Sequence, residues 1–410
     1  MRYIFGLLVV ILLFSCKNDT KSNSDTAIPL AEGTYRAWLP IQDNQEIPFI
    51  FKVESKNELK IVNAEEAIEV DEIEYKNDSV YINLPVFKDY LVAKISNDES
   101  LNGFYVSPDR NRKVPFRAEG HENMRFSVKE KPTTNVEGIW ETVFSKGVEE
   151  DEYVAKGIFK QEGQKVTGTF RTTTGDYRYL EGVMDGNTMK LSTFDGAHAF
   201  LFTATVTDST MQGTFYSGNH WKEPFEAKRN ENYELPSANT LTYLKDGYDS
   251  LDFVFPNTSD ELVGLKDDRF KDKVIVVQIM GTWCPNCLDE SKYYADFYKK
   301  NKDKDIEFVA LAFEYAKDKE TAFSRIDRLQ SKIGIDYPVL LAQYGDADKS
   351  KAQEKLPMLN HILSYPTSIF IDKKGRVRKI HTGFNGPATG DKYIEFKDEF
   401  ESFVTELLSE

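Results

Sequence analysis

Residues 272–280, Asp-Lys-Val-Ile-Val-Val-Gln-Ile-Met, hold a strand-length run that is almost continuously apolar. Such a strand has to be covered on both faces, which places it at the centre of an α/β layer structure. The residues after it keep to that plan. Residues 287–301 carry a helical pattern, 306–314 a strand, and 318–334 a helix that stops on Gly334. Residues 336–342 read as a strand and 352–363 as a short helix. "TSIFID" and "RVRKIHTG" read as a hairpin across Lys373-Lys374-Gly375, and 391–409 as an amphipathic closing helix.

The preceding two hundred residues follow a different rule. From Gly33 to about Arg229 short alternating strands are separated by turn residues, and the pattern occurs twice. "GTYRAWL" (33–39) answers to "GIWETVF" (138–144), and "PFIFKV" (48–53) to "AKGIFKQ" (155–161). "LNGFYV" (101–106) answers to "MQGTFY" (211–216), and "VPFRAE" (114–119) to "EPFEAK" (223–228). The matches keep their order, which points to a duplication. Each copy resembles a small up-and-down barrel or a curled sheet, where closure removes exposed edges. The predicted organisation is therefore two repeated all-β, barrel-like units at 33–129 and 136–230, joined by "EKPTTN" (130–135), then an α/β domain at 245–410. The aromatics Trp38, Trp140, Phe159, Phe215 and Trp221 are expected in the cores of the units. The units themselves read as spacers or docking surfaces, with a ligand site in a barrel mouth as the alternative.

The first sixteen residues stand apart. Arg2 precedes the twelve apolar residues "YIFGLLVVILLF", too few to span a bilayer. A charged start, a short apolar core and a small residue at the cut make a secretory signal. Its ending Leu13-Phe14-Ser15-Cys16 resembles a bacterial lipobox, which implies lipidation of Cys16. Residues 17–32 then read as a flexible tether. The protein is expected in the cell envelope, lipid-anchored and facing the periplasm. A net charge of −15 over 410 residues argues against a nucleic-acid partner.

With Cys16 taken by lipid, Cys284 and Cys287 are the only other cysteines. Their stretch, Gly-Thr-Trp-Cys-Pro-Asn-Cys, ends a buried strand and opens a helix. A helix start favours an anion, and the thiolate is the nucleophile, so Cys284 is expected to attack and Cys287 to resolve. Pro285 suits the first helical turn. A structural zinc site wants four ligands, and the five histidines are scattered; a c-type haem wants a histidine after the second cysteine, where Leu288 stands. A structural disulfide here would close a tiny loop of little value to stability. Redox exchange is the reading that remains, with no metal and no cofactor.

Cys-Pro-Asn-Cys, the Tyr365-Pro366-Thr367 that precedes the strand "SIFID", and the strand–helix order around them resemble the thioredoxin fold. Trp283-Cys284-x-x-Cys287-x-x-Glu290 is similar to the TlpA/ResA-like thiol–disulfide oxidoreductases of bacterial envelopes. The segment "IHTGFNGPATG" resembles lipoprotein members from Bacteroidetes. The resemblance covers about 250–410. It implies an enzyme exchanging its dithiol with client protein disulfides, as a reductase supplied by a membrane dithiol donor of the DsbD/CcdA type. It further implies that Pro366 is a cis-proline against the thiols, with Trp283, Tyr365 and Thr367 contacting clients. Glu290 would lie under the pair and move protons for Cys287, its pKa raised by burial. A peroxiredoxin-like peroxidase is a further alternative, disfavoured because "VQIMGTWC" lacks the Pro-x-x-x-Thr-x-x-Cys context. Outside enzymes, a lipid-anchored binding protein with a redox-regulated module is the alternative.

Overall fold

The computed structural model describes residues 29–96 and 99–410. The predicted signal segment with Cys16, and most of the predicted tether, lie outside the described residues.

The first β unit has nine strands: β1 (Gly33–Pro40), β2 (Glu46–Ser55), β3 (Glu58–Asn63), β4 (Glu66–Val70), β5 (Glu72–Lys76), β6 (Ser79–Asn83), β7 (Tyr90–Ile95), β8 (Leu101–Ser107) and β9 (Arg112–Gly120). The sheet order is β4-β3-β2-β1-β9-β8-β7-β6-β5. Only Asp71 separates its two edge strands in the chain. One segment thus leaves one edge of a curled sheet and arrives at the other, with no ladder between β4 and β5.

The second unit has β10 (Gly138–Phe144), β11 (Tyr153–Glu162), β12 (Lys165–Thr172), β13 (Leu180–Asp185), β14 (Thr188–Phe194), β15 (Ala199–Val206), β16 (Thr210–Ser217) and β17 (Trp221–Arg229), which form a closed barrel. The duplication read from the sequence falls on equivalent strands. β1 pairs with β2 and β9 as β10 pairs with β11 and β17. What differs is closure. In the second copy β12 pairs directly with β13 from Lys165 to Gly168. A Cβ on Gly168 would lie 2.1 Å from the Ile158 carbonyl oxygen, so glycine admits the close approach of β12 to β11.

Aromatic rings fill the barrel. Phe144, Phe170, Phe202, Phe215 and Phe225 are all buried, and Phe202 lies 4.5 Å from Phe215 and 4.9 Å from Phe170 between centroids. Trp38, Trp140, Phe159 and Phe215 are core residues, but Trp221, at 43% exposed, is not. It opens β17 directly after a turn, where its side chain faces solvent.

The two units share a core. Phe194 of the barrel stacks on Phe49 of the first unit at 4.2 Å. Asn63 Nδ2 donates to the Phe194 carbonyl (2.9 Å), and Phe194 N–H returns the bond to Asn63 Oδ1 (3.2 Å). The connecting residues are also fixed, with Lys129 and Glu130 N–H groups donating to Asp185 Oδ1 at 2.8 and 2.9 Å.

After a short hairpin of β18 (Val254–Pro256) and β19 (Leu262–Gly264) comes the α/β domain. Its elements are β20 (Val274–Met280), α1 (Pro285–Lys300), β21 (Ile306–Phe313), α2 (Lys319–Ile333), β22 (Val339–Gln343), α3 (Lys349–Lys355), β23 (Thr367–Ile371), β24 (Val377–Thr382) and α4 (Asp391–Ser409). The sheet order is β22-β21-β20-β23-β24, with β20, β21 and β22 parallel and β23 and β24 antiparallel. All seven residues of β20 are buried. α2 starts on Asp318, whose carboxylate accepts the Thr321 N–H at 2.8 Å, and ends on left-handed Gly334. The helix expected at 352–363 is corrected: α3 ends at Lys355. Pro357 has no N–H to continue it and pushes Leu356, at φ −129° and ψ 65°, out of the helical region.

Candidate functional site: a dithiol at the junction of three units

Strand β20 aims the chain at the start of α1, and Cys284 is the residue that caps it. Its backbone is extended, and its Sγ accepts the Cys287 N–H at 3.2 Å, where a helix start leaves an N–H without an internal partner. Pro285 occupies the first helical position. Cys284 Sγ also donates to the Tyr365 carbonyl at 3.4 Å, and the Tyr365–Pro366 peptide is cis. Both thiols are free; Cys284 is 6% exposed and Cys287 fully buried. Burial pushes the Cys287 thiol well up, and the adjoining Cys284 and Glu290 add to the shift.

Glu290 is fully buried one helical turn beyond Cys287. Gln278 Nε2, from the apolar strand β20, donates to its Oε2 at 2.8 Å. Ser368 Oγ, just past Pro366, donates to Oε1 at 3.0 Å. Tyr294 OH reaches both Oε1 (3.2 Å) and Ser368 Oγ (2.8 Å). Burial raises the Glu290 carboxyl to about 7, and these three donors only partly offset it.

Trp283 is half-buried. Its Nε1–H donates to the Phe313 carbonyl at 2.9 Å, and its ring meets Tyr315 at 4.6 Å and Tyr365 at 5.7 Å. The turn beneath it is pinned by Glu314, which accepts the Thr282 N–H (2.8 Å) and hydroxyl (2.6 Å). Thr367 departs from expectation. It is fully buried and its hydroxyl donates to the Ser364 carbonyl at 2.9 Å, so its side chain serves the turn and cannot meet a client.

Sequence reasoning missed the closest neighbour of the site. The β12–β13 connection of the barrel, residues 173–179, lies along the rim of the dithiol. Asn286, between the cysteines, donates to the Asp176 carbonyl at 3.2 Å, and Ser364 Oγ donates to the Thr174 carbonyl at 2.9 Å. Asp176 Oδ2 accepts the Gly386 N–H at 2.6 Å. Within this loop the buried Arg178 joins all three units. It pairs with Glu66 of the first unit (2.6 Å), Asp195 of the barrel (3.2 Å) and Asp289 of α1 (2.5 Å). Burial opposes its charge, but the three carboxylates more than offset that and hold the guanidinium charged. No signal in the sequence links residue 178 to residue 289; only the polar Gln278 inside an apolar strand hinted at a buried polar partner.

Residues 245–394 match the family described as Redoxin. The chain is 28% identical over 142 residues to thiol-disulfide oxidoreductase ResA of Bacillus subtilis, covering 34% of this chain and 69% of that protein. The C-terminal domain is a TlpA/ResA-like thioredoxin-fold domain. To ResA of Bacillus thuringiensis the identity is 28% over 131 residues, covering 32% of this chain and 66% of that protein, so the match spans just under two thirds of that relative's length. Among solved structures, a thiol-disulfide oxidoreductase from Bacteroides fragilis aligns at 20% identity with a TM-score of 0.26, over 36% of this chain and 99% of that one. In this thioredoxin-like domain the structure brings Cys284, Cys287, Glu290, Trp283, Tyr365 and Pro366 to one place. Among the described residues no group of three or more His, Cys, Asp or Glu is placed to hold a metal ion, and no helix is long and apolar enough to cross a membrane.

Proposed function

We propose that this chain is an envelope thiol–disulfide oxidoreductase that reduces client protein disulfides through Cys284 and Cys287. The observation that carries the reading is the pairing of a rim thiol at a helix start with a buried thiol above a buried carboxyl that burial raises to about 7, where it can both take and give a proton. The Cys284 thiolate attacks one sulfur of the client disulfide; a mixed disulfide forms and one client thiolate leaves. Cys287 then has to lose its proton in an apolar site, and Glu290 is the group that takes it. The Cys287 thiolate attacks Cys284 Sγ, the internal disulfide forms, and the second client sulfur departs as a thiolate with the bonding pair of the mixed disulfide, to be protonated by the proton Glu290 took up. Client reduction by two electrons is balanced by oxidation of the pair. A membrane dithiol donor of the DsbD/CcdA type would restore it, and lipidation of Cys16 would keep the enzyme at the membrane.

Catalytic reduction of a disulfide substrate by a dithiol donor is expected, with loss of turnover in Cys284→Ser and a trapped mixed disulfide in Cys287→Ser. Absence of turnover with every dithiol donor would overturn the reading in favour of a binding protein. A reduction potential near about −270 mV supports the reductase direction and one near about −120 mV an oxidase. Cys16→Ser is expected to release the protein from the membrane fraction.

A further inference from the structure

Beside Trp283, a cleft of about 440 Å³ opens where the three units meet. The β8–β9 turn forms one wall, the β14–β15 and β16–β17 turns another, and Trp283 with Tyr315 closes the end beside Cys284. Leu39, Ile41 and Val114 make part of it apolar. Tyr315 is 43% exposed there.

The charge of this cleft is opposite to that of the chain. Arg110, Arg112, His198 and His220 all line it, and the only acidic residue lining it, Asp109, is neutralised by an ion pair with the buried Arg325. Arg110 and His198 have structural duties: Arg110 donates to the Ala197 carbonyl at 2.8 Å, and His198 Nδ1 lies 3.3 Å from Asp195. Arg112 and His220 do not. Among the described residues neither side chain has a hydrogen bond or an ion pair. Burial pushes the His220 imidazole down to about 4, with Arg112, Arg110 and His198 adding to the shift, so His220 is neutral and the free charge of the cleft is that of Arg112. In a chain of net charge −15, an unpartnered arginine in an aromatic-ended cleft is not explained by folding. The chain's own 173–179 loop already covers the dithiol at Asn286 and Ser364, and none of its residues lines this cleft beside Trp283.

We propose that this cleft docks the carboxylate-bearing peptide that flanks the substrate's disulfide, with Arg112 as its charge partner and Trp283 and Tyr315 as its apolar floor. The inference rests on the thiol–disulfide reading and extends it: the β units select acidic substrates. The occupant is an acidic stretch of a protein client, because the cleft runs from Trp283 over turns of both β units; glutathione disulfide is the competing occupant that the test separates.

The test uses the full chain and disulfide peptides that differ only in having Glu, Gln or Lys beside the cystine, with glutathione disulfide as a separate arm. The Glu peptide is expected to have a kcat/KM about tenfold above the Gln peptide, the factor given by about 1.4 kcal/mol of charge pairing. Arg112→Gln, which breaks no bond in the fold, should abolish that advantage and leave the Gln peptide unchanged. High salt should do the same. An Arg112-dependent advantage for glutathione disulfide identifies the small occupant; one confined to the longer peptide identifies a protein segment. Equal kcat/KM for Glu, Gln and Lys peptides overturns the inference and leaves the oxidoreductase reading standing. If no peptide is reduced, that reading falls, and calorimetric titration with the S-alkylated peptides decides the cleft. Tighter binding of the Glu form, lost in Arg112→Gln, supports it, and equal binding overturns it.

Discussion

Glu290→Gln removes the charge beneath Cys287 while keeping the size of the side chain, and its effect on stability has a calculable dependence on pH. Burial lifts the carboxyl from 4.5 to about 7 in the folded protein. The folded state therefore holds its proton more tightly than the unfolded chain. The sign follows from that: the carboxyl's contribution is fully favourable below about 4.5, declines as pH rises, and has been lost once pH passes about 7. Carried across that interval, the shift amounts to about 3 kcal/mol. The amide cannot ionise, so its stability lacks this slope. Part of the gain at high pH is offset because Gln278 Nε2 donates to Oε2 and would face an amide nitrogen unless one of the two side chains turns over. Urea denaturation of both proteins from pH 4 to 8, with the thiols kept reduced, is the assay. Relative to Glu290→Gln, the wild type should lose about 3 kcal/mol between pH 4.5 and 7. A difference that does not vary with pH would refute the buried, proton-holding carboxyl. In the same variant, the release of client from the mixed disulfide should lose its dependence on a group titrating near 7; an unchanged pH–rate profile would remove Glu290 from the proton transfer.

Three further expectations concern the frame around the pair. Arg178→Ala removes the one cation that Glu66, Asp195 and Asp289 share, leaving Asp289 only Lys292 at 3.5 Å and Asp195 only His198 at 3.3 Å, and should cost about 3–5 kcal/mol by urea denaturation; a loss under about 1 kcal/mol would refute its role as the joint between the units. Phe202→Ala opens a void among the packed rings of the barrel and should cost about 3–5 kcal/mol, whereas a near-neutral effect would point to a barrel interior able to admit a ligand. At Gly383, φ is +78° and a Cβ would stand 2.7 Å from the Thr174 carbonyl carbon. Gly383→Ala should displace the 173–179 loop and speed alkylation of Cys284; an unchanged alkylation rate would show that the loop does not restrict access.

Much of the site was legible because it is local. Cys284, Cys287 and Glu290 lie within seven residues of one helix start, and helical spacing alone puts Glu290 one turn beyond Cys287. The four matched segments likewise marked equivalent strands in both copies, since alternation with turn residues is a short-range signal. Thr367 shows the limit: the motif named it, but whether its hydroxyl faces a client or the Ser364 carbonyl depends on how the turn is folded. Trp221 was read as core because it is large and apolar, and the register of β17 left it outside. The end of α3 falls at Lys355 and not at 363 because Pro357 lacks the N–H that the next turn needs.

The sequence by itself thus determined the α/β class of the C-terminal domain, the duplication ahead of it and the placing of a thiol pair at a helix start. Those properties reside in period, spacing and residue type along a few dozen neighbouring positions. The tertiary structure alone decided that the first β unit curls without a closing ladder and that the barrel is filled with its own rings. It also decided that the barrel's 173–179 loop lies against the dithiol, held by its own Arg178, and that Arg112 and His220 face Trp283 across one cleft. Each of these depends on pairs separated by up to a few hundred residues. Their meeting is set by packing and charge pairing in three dimensions, which leaves no periodic trace in the chain.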